Sequence, residues 1–144
     1  MQFEIESIIK LLFAVLVGGL IGLERESTRR PAGLRTHILV CVASTMVMDI
    51  NFMIAQQYIT ADPMRLGAQV ISGIGFLGAG TIIKEGPTVK GLTTAAGLWA
   101  VACLGLVIGA GYYLMALFAA LVMLVTLKTF SQLENKYNHR RKDD

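Results

Sequence analysis

Five stretches of this sequence are built almost entirely from apolar and small residues, and each is close in length to a membrane crossing: residues 5–23, 34–54, 66–83, 92–107 and 112–127. A helix needs roughly 20 mostly apolar residues to cross a hydrocarbon core of about 30 Å. Five such helices take about 100 residues, which leaves only short links and a tail in a chain of 144. With 54% hydrophobic and 16% charged residues, the chain lacks the charged surface of an ordinary soluble domain. The fold expected is all-α: a polytopic membrane protein of five transmembrane helices in residues 1–127, followed by a charged cytosolic tail in residues 128–144.

Residues 92–127 are too long for one span, and Gly109, Ala110 and Gly111 interrupt them, so they read as a helical hairpin with a tight turn. The first stretch is no cleavable leader on this reading. Glu4 and Glu6 stand where a basic region would be, and Gly18, Gly19 and Gly22 suit packing.

Charge sets the orientation. With the N-terminus outside and the C-terminus in the cytoplasm, eleven of the thirteen basic residues fall on the inner side, leaving Lys10 and Arg65 for the outer side. This matches the enrichment of Lys and Arg in cytoplasmic loops. It also accounts for the net charge of +3 without nucleic acid, and sets the basic tail against anionic lipid or a cytosolic partner. Phe130, Leu133 and Tyr137 are expected on one face of a helix that frays near Asn138.

Membrane helices associate where small residues let backbones approach. Ala14, Gly18 and Gly22 form such a line on the first helix; Gly97, Val101, Gly105 and Gly109 form one on the fourth. Ser72, Gly73, Gly75, Gly78, Ala79 and Gly80 nearly surround the third, which is expected at the centre of the bundle. Gly73 to Gly78 also matches the G-x-G-x-x-G dinucleotide fingerprint. The context is wrong for it, since no strand precedes the motif and no acid follows about 20 residues later. Packing is the default reading, and local unwinding along an ion pathway is the alternative.

Ionisable groups inside a bilayer need a route to the interface or a purpose. Lys10 can snorkel from the outer end of its helix. Asp49 and Asn51 lie deeper; Asp49 can face water or pair with Arg65, and is read either as half of a structural ion pair or as a metal ligand. Asp62 and Pro63, just ahead of Arg65, suit a helix start. On the inner side Glu24 and Arg25 end the first helix, Arg35 opens the second, and Lys84 with Glu85 ends the third. Together they form either a solvated rim or a site for an anion or a partner. Thr36, Gln69, Ser72, Thr81, Thr93 and Thr94 can hydrogen-bond between helices. Tyr112 and Tyr113 suit an interfacial belt, Trp99 is expected to pack, and Cys41 and Cys103 read as packing residues.

The blocks GLIGLERE (19–26), PAGLRTH (31–37), DPMR (62–65), QVISGIGFLGAG (69–80) and KGLTTAAGLW (90–99) resemble the signature of the MgtC/SapB family of bacterial inner-membrane proteins. The resemblance covers about residues 18–127. It implies an inner-membrane location and a link to magnesium homeostasis. Virulence-associated members are linked to growth in low magnesium and survival in macrophages, and are thought to restrain the membrane ATP synthase. Longer members carry a C-terminal ACT-like domain, so the chain reads as a short form lacking it. Where the virulence-associated members read Gly-Leu-Asn-Thr, this chain has Thr93.

Two functions follow as expectations. The first is a regulatory protein that contacts another membrane complex, with no cofactor. The second is a transporter or channel for a cation such as Mg2+, which favours carboxylates and keeps several waters; here only Asp49 stands within a span to serve it. No nucleophile with a base and an orienting group points to an enzyme, and His37 sits among arginines at a helix start. A homodimer is expected, because lipid fills glycine-rich helix surfaces poorly.

Overall fold

The computed structural model describes residues 2–58 and 60–140, with the side chains of 4–58 and 60–129. It contains five helices, α1 Gln2–Ser27, α2 Leu34–Gln57, α3 Arg65–Ala79, α4 Leu92–Gly109 and α5 Tyr113–Arg140, and two short strands, β1 Ile83–Glu85 and β2 Thr88–Lys90. Three helices, α1, α2 and α4, are long and apolar enough to cross a membrane, and residues 113–129 of α5 form a shorter apolar helix.

Glycine sets the closest approaches. A Cβ on Gly18 would lie 2.8 Å from the Cβ of Cys41, and one on Gly22 would lie 2.8 Å from the Cα of Leu34, so α1 lies directly on the backbone of α2. Farther along α2, a Cβ added to Gly105 or Gly109 of α4 would lie 2.7 Å from the Cβ of Ser44 or Met48, respectively. Thr45 fastens this seam, its hydroxyl lying 2.9 Å from the Cys41 carbonyl and 3.0 Å from the Gly105 carbonyl. Val17 and Ile21 of α1, Cys41 of α2, Val101 and Ile108 of α4 and Ala116 of α5 make the core.

The most buried helix is α4, which packs against α1, α2, α3 and α5, and the expectation that the third helix holds the centre is corrected. Only Gly67, Ile74 and Gly78 of α3 are buried. A Cβ on Gly73 or Gly75 would meet nothing within 4 Å, and Phe76 is 84% exposed. The third helix has small residues on nearly every side, so composition could not tell which face is used.

The third helix is also shorter than expected, with 15 residues or about 22 Å of rise. Its end is fastened by Thr81, whose hydroxyl donates to the Gly78 carbonyl at 2.8 Å. The chain then turns into an antiparallel hairpin with Ile83 opposite Lys90 and Glu85 opposite Thr88. Lys84 and Glu85 thus belong to the first hairpin strand instead of ending the third helix, a correction to the all-helical reading. Ile82 and Ile83 extend the apolar run and conceal the break. Gly86 and Gly91 have φ of 59° and 88°, which favour glycine, and Gly91 lies against the Thr81 carbonyl, where a side chain has no space.

The helical hairpin of α4 and α5 forms as expected, turning at Ala110, Gly111 and Tyr112. Trp99 is 48% exposed, contrary to the expectation that it packs. Tyr112 is exposed, whereas the Tyr113 ring meets Phe13 edge to face at 5.4 Å. The backbone of α5 stays helical past Asn138 to Arg140, without the expected fraying there. The expected face of Phe130, Leu133 and Tyr137 lies outside the described side chains, as does most of the tail.

Candidate functional site

Two polar clusters are held between α1 and α2, near opposite ends of the pair. The first is built on Glu6, Ser7 and Lys10, which share one face of α1 because residues three and four apart are neighbours on a helix. Asp49 of α2 reaches into this face. Its carboxylate accepts from Lys10 Nζ at 2.6 Å and from Ser7 Oγ at 2.5 Å, and Lys10 also pairs with Glu6 at 3.2 Å. Lys10 and Asp49 are each 8% exposed. Two expectations are corrected: Asp49 pairs with Lys10 instead of Arg65, and Lys10 turns inward instead of snorkelling. A small cavity of about 50 Å³ opens beside them, lined partly by Phe52, Met53 and Gln56.

Asn51, half a turn farther along α2, reaches the start of α3. Its side-chain amide donates to the Pro63 carbonyl, and its side-chain oxygen accepts from the Leu66 amide at 3.0 Å. The first amides of a helix lack intrahelical partners, and α3 has no side-chain cap of its own at Met64. Asp62 instead accepts from the Met64 amide at 2.8 Å, holding the turn before the helix. Arg65 is exposed.

The second cluster sits where α1 ends and α2 begins. Gly22 brings the two backbones together, and the Glu26 carboxylate accepts from the Leu34 amide at 2.7 Å, fastening a helix start whose N-cap, Gly33, has no side chain. Inside this junction Arg25 Nε and Nη2 reach the two Glu24 carboxylate oxygens at 2.6 and 3.1 Å, a bidentate pair. Arg25 is 2% exposed and Glu24 6%, while His37 is completely buried. His37 Nδ1 lies 2.9 Å from the Gly33 carbonyl, and its Nε2 has no hydrogen-bond partner.

The expected rim is thus divided. Glu24 and Arg25 are sealed in the junction, whereas Arg35, Lys84 and Glu85 are exposed, Glu85 pairing with Lys90 at 2.6 Å. Among the uncharged candidates, Thr94 is buried, Thr36 and Thr81 are partly buried, and Gln69, Ser72 and Thr93 are exposed. Thr45, which does join two helices, went unremarked in the sequence because a hydroxyl amid apolar residues shows no partner. Ser7 left a clue in its three-residue spacing from Lys10. A Cβ added to Gly78 would lie 3.5 Å from the Cβ of Ala95, and one added to Gly80 would meet only the Leu77 and Phe76 carbonyls within 4 Å. Among the described residues no three His, Cys, Asp or Glu side chains gather as metal ligands.

The profile of the MgtC family matches residues 11–136. The chain is 45% identical over 118 residues to MgtC of Salmonella typhimurium, covering 81% of this chain and 49% of that protein. It is 42% identical over 127 residues to SapB of Bacillus subtilis, covering 84% and 55%. It is 38% identical over 133 residues to YhiD of Escherichia coli K12, whose name marks it as a candidate magnesium transporter, covering 89% and 62%. The chain spans about half to three fifths of the length of these relatives. No solved structure matches it.

Proposed function

The chain belongs to the MgtC family, and from that premise we propose that it is a regulatory membrane protein of magnesium homeostasis that acts by contact with another membrane complex. The observation that carries this reading is the state of its buried charges. Asp49, the one acid expected deep in a span, already holds Lys10 and Ser7, and Glu24 holds Arg25. A divalent cation at Asp49 would have to displace an ammonium group 2.6 Å away. The other oxygens beside it come from Glu6, Ser7 and Gln56, and Lys10 holds the Glu6 carboxylate as well. The cation would therefore compete with the lysine for both acids while giving up hydration it keeps firmly.

In this reading all five helices cross the bacterial inner membrane, with the N-terminus outside and the C-terminus in the cytoplasm. The partner that the family resemblance implies is the ATP synthase. The protein is a homodimer and carries out no catalysis. The open surface at Gly73 and Gly75 supports self-association, since lipid packs poorly against exposed helix backbone.

Cation transport is the second reading, favoured by the name of YhiD and by the cavity beside Asp49. Purification from native membranes in mild detergent separates them. Regulation predicts that the ATP synthase is retained with the wild-type protein and that adding the protein to inverted membrane vesicles slows ATP-driven proton pumping. Absence of both effects would remove the ATP synthase as the partner.

A further inference from the structure

A larger cavity, of about 370 Å³, lies open between α2 and α3 and shares no residue with either polar cluster. Leu39, Ala43 and Val47 of α2 line it together with Val70, Gly73 and Leu77 of α3. Ser44 is the one polar residue in its wall. The volume falls in the range of pockets that hold small molecules, and a wall this apolar suits hydrocarbon.

Two contacts give the groove its direction. Asn51 of α2 accepts from the Leu66 amide at 3.0 Å, and a Cβ added to Gly67 would lie 3.1 Å from the Met48 sulfur. Helix α3 therefore starts beside the later part of α2 and runs back along it. Leu77 stands about 15 Å beyond Gly67, and Leu39 about 14 Å back from Met48, so the two leucines mark the same end of the groove. They are 49% and 68% exposed, which leaves that end open.

Charge gathers at this mouth. Arg35 precedes Leu39 by one turn and continues the line of Leu39, Ala43 and Val47, because residues four apart share a helix face. It is exposed, as is Lys84 of β1, just beyond the end of α3. Among the described residues neither enters an ion pair. The acids at this end are already held: Glu24 by Arg25, Glu26 by the Leu34 amide and Glu85 by Lys90. We infer that the groove between α2 and α3 binds one anionic phospholipid, with an acyl chain along the groove and the phosphate at Arg35.

The charge distinguishes this occupant from a second copy of the chain. A copy inserted in the same orientation would carry its own Arg35 and Lys84 to the same membrane face and add like charge, whereas a lipid phosphate offsets it. Gly73 lines the groove, but Gly75 lies roughly 200° round α3 from it and stays available for self-association. Seated there, the lipid braces α3 against α2 at the end opposite the Asn51 contact. The inference rests on the membrane reading, with this end at the cytoplasmic leaflet, and is independent of the ATP synthase.

Native mass spectrometry of the full chain in a mild nonionic detergent tests it, with phosphatidylglycerol, phosphatidylcholine of the same chains and glycerol phosphate added in turn. The wild-type protein should retain one phosphatidylglycerol per chain, about fivefold more tightly than phosphatidylcholine, the weight of about one basic residue near an anionic surface. It should not retain glycerol phosphate, which has no chain for the groove. Arg35→Gln should remove the preference between the two lipids. Gly73→Leu should lose the bound lipid while keeping its helical circular dichroism, since a Cβ there meets nothing within 4 Å. Ala43→Leu, on the other wall, repeats that arm if Gly73→Leu does not fold. Equal retention of both lipids by the wild-type protein, a preference that survives Arg35→Gln, retention of glycerol phosphate, or undiminished lipid on the filled groove would each overturn the inference. Because no ATP synthase is present in this assay, a negative result leaves the proposed regulatory contact standing.

Discussion

Single side chains carry the strongest energetic consequences here, because the bilayer offers an unpaired charge no water. Replacing Lys10 with Met leaves Asp49 buried without its cation, and loss of one partner of a buried pair costs about 3–5 kcal/mol. The double substitution Lys10→Met with Asp49→Leu removes both charges and should recover most of that loss. Denaturation in mixed micelles measures the cycle, and additive losses would show that the two side chains act independently. A smaller effect belongs to Asn51. Its replacement by Ala strands the Leu66 amide at the start of α3 and should cost about 1–3 kcal/mol, read as faster hydrogen exchange at Leu66. Unchanged exchange there would mean that α3 is capped by other means. Which residues would be buried was only partly legible. Asp49 stood out as an acid within an apolar run, yet its partner lies 39 residues away on another helix, a pairing that one-dimensional spacing does not encode.

At the level of helices, the decisive question is which glycines are used. Gly105→Val introduces branches at a position where even a Cβ meets the Ser44 side chain at 2.7 Å, and overpacking of this kind costs about 1–3 kcal/mol or more. Gly75→Ala enters open space, so the folded chain should keep its stability to within about 0.5 kcal/mol. Equal losses at both positions would contradict the placement of α3 at the periphery. The lines of small residues on α1 and α4 were readable because each occupies a single face and predicts a single neighbour. On α3 small residues occupy nearly every face, so the same signal could not choose between a central helix and an outer one. The β1–β2 hairpin was unreadable for a different reason: the apolar run to Ile83 carries the helix pattern past the end of α3 at Ala79, and Gly86 and Pro87 mark a turn without showing that three-residue strands flank it.

Across the whole molecule, α2 packs against both α1 and α4, with a buried charge cluster near either end of the α1–α2 seam. That arrangement suits a protein whose shape at the junctions matters more than a continuous hydrated path. Reporter fusions should place the link at Arg29 and the hairpin at Lys84 on one side of the membrane, and the link at Thr60 on the other; Arg29 and Lys84 on different sides would contradict the five-span reading. The central claim, contact without ion passage, is tested most directly by magnesium flux into proteoliposomes containing the purified wild-type protein, with Asp49→Asn measured in parallel. Contact-based regulation predicts that both match protein-free vesicles, and wild-type flux that Asp49→Asn abolishes would contradict it.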